Sequence, residues 1–130
     1  MAKPVKAQII IPAGTHPWSH ELRVANILAM AGHVVEFLPP AKIKRADIKL
    51  DNTEFEIKSP ITNNPKKIIR NVKRALEQSP NVIIDSARIK GMRDDTLRKL
   101  LVSRAKDQKT LKRLLLITKR GQIIDIMALT

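Results

Sequence analysis

Cysteine is absent from the 130-residue sequence, so the fold has no disulfides and no thiolate metal ligands, a pattern that fits the cytosol. Aromatic residues are almost absent too: Trp18, Phe37 and Phe55 are the whole complement, and there is no tyrosine. Modules that read unstacked bases on aromatic platforms need more than this. A nucleic-acid partner would therefore be held through phosphates and shape, as in duplex or structured RNA. Long apolar runs are also missing. Nothing approaches the ~20 residues that cross a bilayer, and the run Ile9 to Ile11 in the opening "MAKPVKAQIIIPAG" is too short for a signal-peptide core. The last shortage is of negative charge: 12 acidic residues face 25 lysines and arginines, a net charge of +13. Such a bias points to a polyanionic partner, with nucleic acid the default. The basic residues are spread along the chain rather than gathered in one amphipathic segment, which argues against a membrane surface.

What is present is a periodic, 43% hydrophobic chain with no internal repeat, low-complexity tract or linker. It predicts one domain, with residues 1–14 as an N-terminal extension and 15–130 as the core. Pro17 opens a helical pattern through about Ala31, and Gly32 stops it. "HVVEFL" (His33 to Leu38) reads as a strand closed by Pro39 and Pro40. A hairpin follows, with Ala46, Ile48, Leu50, Phe55 and Ile57 on one side. Asn64 as N-cap and Pro65 in the first turn start a second helix, whose apolar stripe is Ile68, Ile69, Val72, Ala75 and Leu76. "NVIID" (Asn81 to Asp85) is continuously apolar up to its last residue, as in a strand buried on both faces. A third helix from about Asp94 to Lys106 turns Leu97, Leu100 and Leu101 inward, and strands near Leu111–Thr118 and Gln122–Leu129 meet at "KRG". This order predicts an α/β fold with a mixed central sheet flanked by helices, and the Asn81 strand parallel to its neighbour.

The stretch "ADIKLDNTEFEIKSP" (Ala46 to Pro60) carries the candidate chemistry. Residues two apart in a strand share a face, so Asp47, Glu56 and Lys58 lie opposite the apolar side. With Asp51-Asn52 as a two-residue turn, Asp47 sits across from Glu56; a one-residue shift would set it across from Lys58. Two carboxylates at this separation repel, and a cation or a bound Mg²⁺ removes the repulsion. Carboxylates holding a metal beside a lysine suit phosphodiester hydrolysis. A solvated face of mixed charge is the plainer alternative, and Lys49 and Glu54 on that face favour it. Glu21 bears on the choice. Val24, Ala25 and Leu28 place it in the apolar stripe of the first helix, where a carboxylate needs a cation or metal, unless it serves the first turn.

Elsewhere the signals are weaker. "HPWSHE" sets His16 and His20 four apart beside Glu21, but zinc would need a third ligand that no spacing supplies. Lys66, Lys67, Arg70, Lys73 and Arg74 make the basic face of the second helix the best surface for tracking phosphates. Asp85, Asp94, Asp95 and Asp125 have no spacing that points to chemistry, and there is no Walker loop, dinucleotide fingerprint or nucleophile elbow.

The segments "SHELRVANILAMAGHVVEFLP", "RADIKLDNTEFEIKSP" and "ALEQSPNVIID" resemble the C-terminal toxin domain of contact-dependent growth inhibition systems, in its transfer RNA (tRNA) nuclease branch with a PD-(D/E)XK-type active site. The resemblance runs from about Ser19 to Asp125, and its most specific element is Asp47, eight intervening residues, then Glu56-Ile57-Lys58. The motif's leading proline is replaced by Ala46. The resemblance implies a single-domain PD-(D/E)XK nuclease-like fold with a catalytic group of Glu21, Asp47, Glu56 and Lys58. His20, Ser59, Thr62 and Gln78 are weaker candidates. It further implies a divalent metal, Mg²⁺ or Mn²⁺, on Asp47, Glu56 and Glu21, an acidic immunity protein as partner, and action in a target cell's cytoplasm after delivery within a larger toxin. Met1 without a long delivery region leaves open an excised domain or a free-standing relative. The resulting expectation is a metal-dependent tRNA endoribonuclease. A DNA endonuclease of the same superfamily and a non-catalytic basic binding module are the alternatives.

Overall fold

In the computed structural model, described here over residues 8–40 and 45–130, the seven strands lie side by side in chain order. These are β1 (Gln8–Ile10), β2 (Val34–Phe37), β3 (Ile48–Leu50), β4 (Thr53–Lys58), β5 (Asn81–Asp85), β6 (Arg113–Ile117) and β7 (Ile123–Asp125). The sheet is mixed: β1 is parallel to β2, β2 through β4 are antiparallel, β4 through β6 are parallel, and β7 closes antiparallel. Helices α1 (Ser19–Met30), α2 (Pro65–Ala75) and α3 (Asp94–Ala105) supply the connections that parallel neighbours require.

The local signals act as expected. Both turn residues of the β3–β4 hairpin have positive φ (Asp51 at 48°, Asn52 at 70°), the two-residue geometry that matches strand twist. Asp51 is fixed further, accepting from Val34 N at 2.8 Å and meeting His33 Nδ1 at 2.7 Å, and these hydrogen bonds hold its carboxyl below its ordinary range. Asn64 Oδ1 accepts from Lys66 N and Lys67 N, capping α2. At the end of α1, Gly32 takes φ 99° and His33 N reaches back to Leu28 O at 3.1 Å, satisfying a terminal carbonyl.

Strand alternation then sorts two cores. Val24, Ala25 and Leu28 of α1 pack on Val35, Ile48, Phe55, Ile57, Ile83 and Ile117. On the opposite face, Ile68 and Val72 of α2 and Leu97 and Leu101 of α3 cover Val82, Ile84, Leu114 and Leu116. β5 therefore feeds both cores, which is why Val82, Ile83 and Ile84 are apolar without a break.

Three boundaries differ from the sequence expectation. Residues 8–10, within the stretch read as an extension, form β1 on the sheet edge. α1 begins at Ser19 rather than Pro17, because Trp18 is still extended (φ −68°, ψ 155°). The last strand ends at Asp125, where Ile126 turns helical and is buried, leading a 3-10 turn over Met127–Leu129.

Candidate functional site

The hairpin register pairs Ile48 with Phe55 and Lys49 with Glu54, so its next step sets Asp47 against Glu56. The ladder stops there. Continued pairing would give the Ile57 amide to Ala46, but Ile57 N donates to Asp47 Oδ2 at 2.8 Å instead. β4 has begun pairing with β5 at this level, Glu56 against Val82. The Asp47 carboxylate thus sits where the hairpin opens, a place that ordinary strand pairing leaves to side chains.

Glu56 is 6% exposed. Its Oε2 lies 3.5 Å from Lys58 Nζ, while its buried Oε1 has no hydrogen-bond partner. Burial first, and then the Asp47 charge and hydrogen bond, push the Glu56 carboxyl up to about 8, with Lys58 opposing. Both effects favour the protonated carboxyl at Glu56 over a second full charge beside Asp47.

An open cavity of about 420 Å³ lies over the pair, bounded also by Glu21, Gln78, Trp18, His16 and Arg45. Gln78 Oε1, like Glu56 Oε1, is buried without a partner. Glu21 reaches the cavity from the third position of α1, and its Oε1 accepts from Trp18 N at 2.8 Å. It closes the helix start, the first-turn role set against the metal role in the sequence. Among the described residues, no group of three or more His, Asp or Glu is arranged to hold a metal ion. Asp47 and Glu56 are a pair, with Glu21 in the same cavity but engaged elsewhere.

The other candidates divide. His20 stacks on Trp18 (centroids 6.5 Å apart, planes 9° apart) but lines a neighbouring cavity. Ser59 Oγ is buried and unpartnered, one residue past the end of β4. Thr62 Oγ1 accepts from Asn64 N at 3.1 Å and serves the turn into α2. Lys66, Lys67, Arg70, Lys73 and Arg74 are all exposed. Lys66, Arg70 and Lys73 border a groove of about 350 Å³ that Arg104 of α3 completes, with no carboxylate among the bordering residues. Sequence reasoning missed Trp18, Arg45 and Arg104. An exposed tryptophan in a chain nearly free of aromatics was the available signal for the first; the two arginines carried none.

A single α/β domain whose hairpin opens onto a buried carboxylate pair is the class these features define. The family model for the contact-dependent growth inhibition CdiA C-terminal domain matches residues 44–123, more than half of the chain, and the chain belongs to that family. It is a toxin domain of contact-dependent growth inhibition. Among solved structures, the chain is similar to one from the CdiA-CT/CdiI toxin and immunity complex of Burkholderia pseudomallei, with a TM-score of 0.64 and 18% identity. That likeness covers 88% of this chain and 90% of the other, and at this identity it speaks for the fold alone. No curated protein matches.

Proposed function

We propose that the domain is a metal-dependent endoribonuclease acting on tRNA. The observation that carries this reading is the buried Glu56–Asp47 pair beside Lys58, open to a cavity on a +13 chain. The donor set fits a hard divalent cation, Mg²⁺ or Mn²⁺: its oxygens come from carboxylates, and Glu56 Oε1 is unpartnered. Asp47 and Glu56 would hold the ion, and Glu21 would join as ligand or general base on leaving Trp18 N. When bound, the ion supplies Lewis-acid polarisation of the phosphodiester and a water of lowered pKa. Lys58 balances the Glu56 charge and can turn to the charge that develops on phosphate. Lys66, Lys67, Arg70, Lys73 and Arg74 hold the RNA backbone at a distance from the bond broken.

The test is cleavage of folded tRNA, total RNA and plasmid, each with Mg²⁺ or with EDTA, by the wild type and Asp47→Asn. Cleavage of tRNA that needs the metal and is lost in the variant is expected. Full activity in Asp47→Asn sinks the assignment, and cleavage of plasmid alone replaces it with a DNA endonuclease. Binding without cleavage under any metal makes the domain a non-catalytic module.

The similar solved chain belongs to a toxin and immunity complex. On that basis, and on the +13 charge, we infer an acidic immunity protein as partner. Delivery within a larger toxin and action in the target cell's cytoplasm follow from the same reading.

A further inference from the structure

A second buried carboxylate stands at the carboxyl ends of the parallel strands β4, β5 and β6, the side of such sheets where ligands bind. Asp85 closes β5 and its side chain is 0% exposed. Its Oδ1 accepts from Arg23 Nη1 and from Ala87 N at 3.1 Å, while its Oδ2 is buried without a partner. Arg23 is locked in turn: its Nη2 donates to Thr118 O at 2.9 Å and Lys119 O at 3.2 Å, past the end of β6. One step beyond the paired positions Lys58 and Ile84 come Ser59, just past the end of β4, and Asp85, which shares the α1 face with Ile83. Asp85 Oδ2 at the end of β5 and Ser59 Oγ one residue past the end of β4 are both dry and unpartnered. Above Asp85 lies a cavity of about 460 Å³ bounded by Ser19, His20, Arg23 and the exposed Arg88.

This cavity adjoins the candidate active site. The first turn of α1 separates them: Trp18 and Glu21 border one, Ser19, His20 and Arg23 the other, and the Trp18 and His20 rings stack across the divide. A helix is about 10–12 Å across, which a strand covers in no more than about three nucleotides even at the 3.4 Å stacked rise of a duplex.

We propose that the Asp85 cavity is a ribose-phosphate subsite that selects RNA, taking the 2′-hydroxyl of a nucleotide within about three positions of the cleaved bond. The hydroxyl donates to Asp85 Oδ2 and meets Ser59 Oγ, and Arg88 takes the adjoining phosphate. Arg23 is a positioning residue: it orients the carboxylate and offsets its repulsion of phosphate. A deoxynucleotide leaves both buried oxygens unpaired, and sites built for a hydroxyl reject analogues that lack it. The inference rests on the ribonuclease reading and names what that site's substrate must carry.

The test uses a cleaved RNA and copies bearing one 2′-deoxynucleotide at each of three positions on either side of the cut. For the wild type, one position should lower kcat/KM about tenfold when deoxygenated, and the effect should fall below twofold in Asp85→Asn and Ser59→Ala. Ser59→Ala keeps the test alive if Asp85→Asn does not fold. Insensitivity at every position, or full sensitivity retained in both variants, overturns the proposal. A second measurement separates it from catalysis: binding of RNA and of DNA of the same sequence, in EDTA. About tenfold preference for RNA, lost in the variants, supports the subsite even if no metal brings cleavage, in which case the nuclease reading alone fails. Equal binding of the two by the wild type overturns the subsite.

Discussion

Glu56 and Asp85 are the two most informative carboxylates in the molecule, and they are alike in all but their company. Each lies on a strand of the parallel centre, each is nearly dry, and each has one oxygen without a partner. Asp85 faces Arg23, whose Nη2 is held by two backbone carbonyls, so its charge is matched within the fold. Glu56 faces Asp47, and Lys58 at 3.5 Å compensates only in part, so its proton is held up to about 8. Equal burial therefore means different things. At Asp85 the fold has completed an ion pair, and at Glu56 it has left room for a cation from outside.

The comparison breaks most visibly through stability. Arg23→Ala strands the Asp85 charge in a dry setting, and the loss should be about 3–5 kcal/mol in urea unfolding. Glu56→Gln should leave stability at neutral pH unchanged or slightly raised, because glutamine resembles the protonated acid already there. If Glu56→Gln proved the more destabilising change, the contrast between the two sites would be wrong. Activity should run the other way. Glu56→Gln should lower tRNA cleavage by about 10²–10³-fold, the scale of losing one preorganised electrostatic group, with RNA affinity kept.

Titration sharpens the same contrast. The Glu56 carboxyl moves from an ordinary 4.5 to about 8 on folding, chiefly through burial and then through Asp47. The folded state therefore keeps a proton that the unfolded chain releases. Its stabilising contribution is complete below pH ~4.5 and is lost as pH rises through about 8. Metal-free wild type should show a falling Tm across that window, and Glu56→Gln should lack this part of the slope. Mg²⁺ should raise Tm more at pH 8 than at pH 6, since it competes with the proton. An equal rise at both would separate metal binding from Glu56.

How much of this the sequence disclosed depended on range. The hairpin was legible because its turn chemistry and alternation are local, and register alone then sets Asp47 against Glu56. α2 was legible from Asn64 and Pro65 for the same reason. β1 was not: three residues pair with a strand that begins 24 positions later, and no local pattern marks them. Glu21 was read from its apolar stripe, but its bond to the Trp18 amide depends on where α1 starts, two residues after the proline that suggested it. The Arg23–Asp85 pair spans 62 residues, and only the odd acid ending "NVIID" hinted at it. Helix spacing could not show that Arg104 would complete the groove of α2, because that depends on how two helices pack.

The smallest effects should come from the exposed cations, which complete the contrast with the buried acids. Arg70 and Arg104 both border the carboxylate-free groove between α2 and α3. Both are exposed, so removing either should change stability by no more than about 0.5 kcal/mol. If the groove follows the RNA backbone, each of Arg70→Gln and Arg104→Gln should reduce the slope of log affinity against log salt by about 0.7 to 0.9. Cleavage of RNA already bound should proceed at the wild-type rate, because neither residue borders the Glu56 cavity. A slope unchanged in Arg104→Gln but reduced in Arg70→Gln would confine the phosphate track to α2. A reduced rate from the bound state would instead tie the groove to the geometry at Glu56, and the separation between affinity at the surface and chemistry at the buried pair would no longer hold.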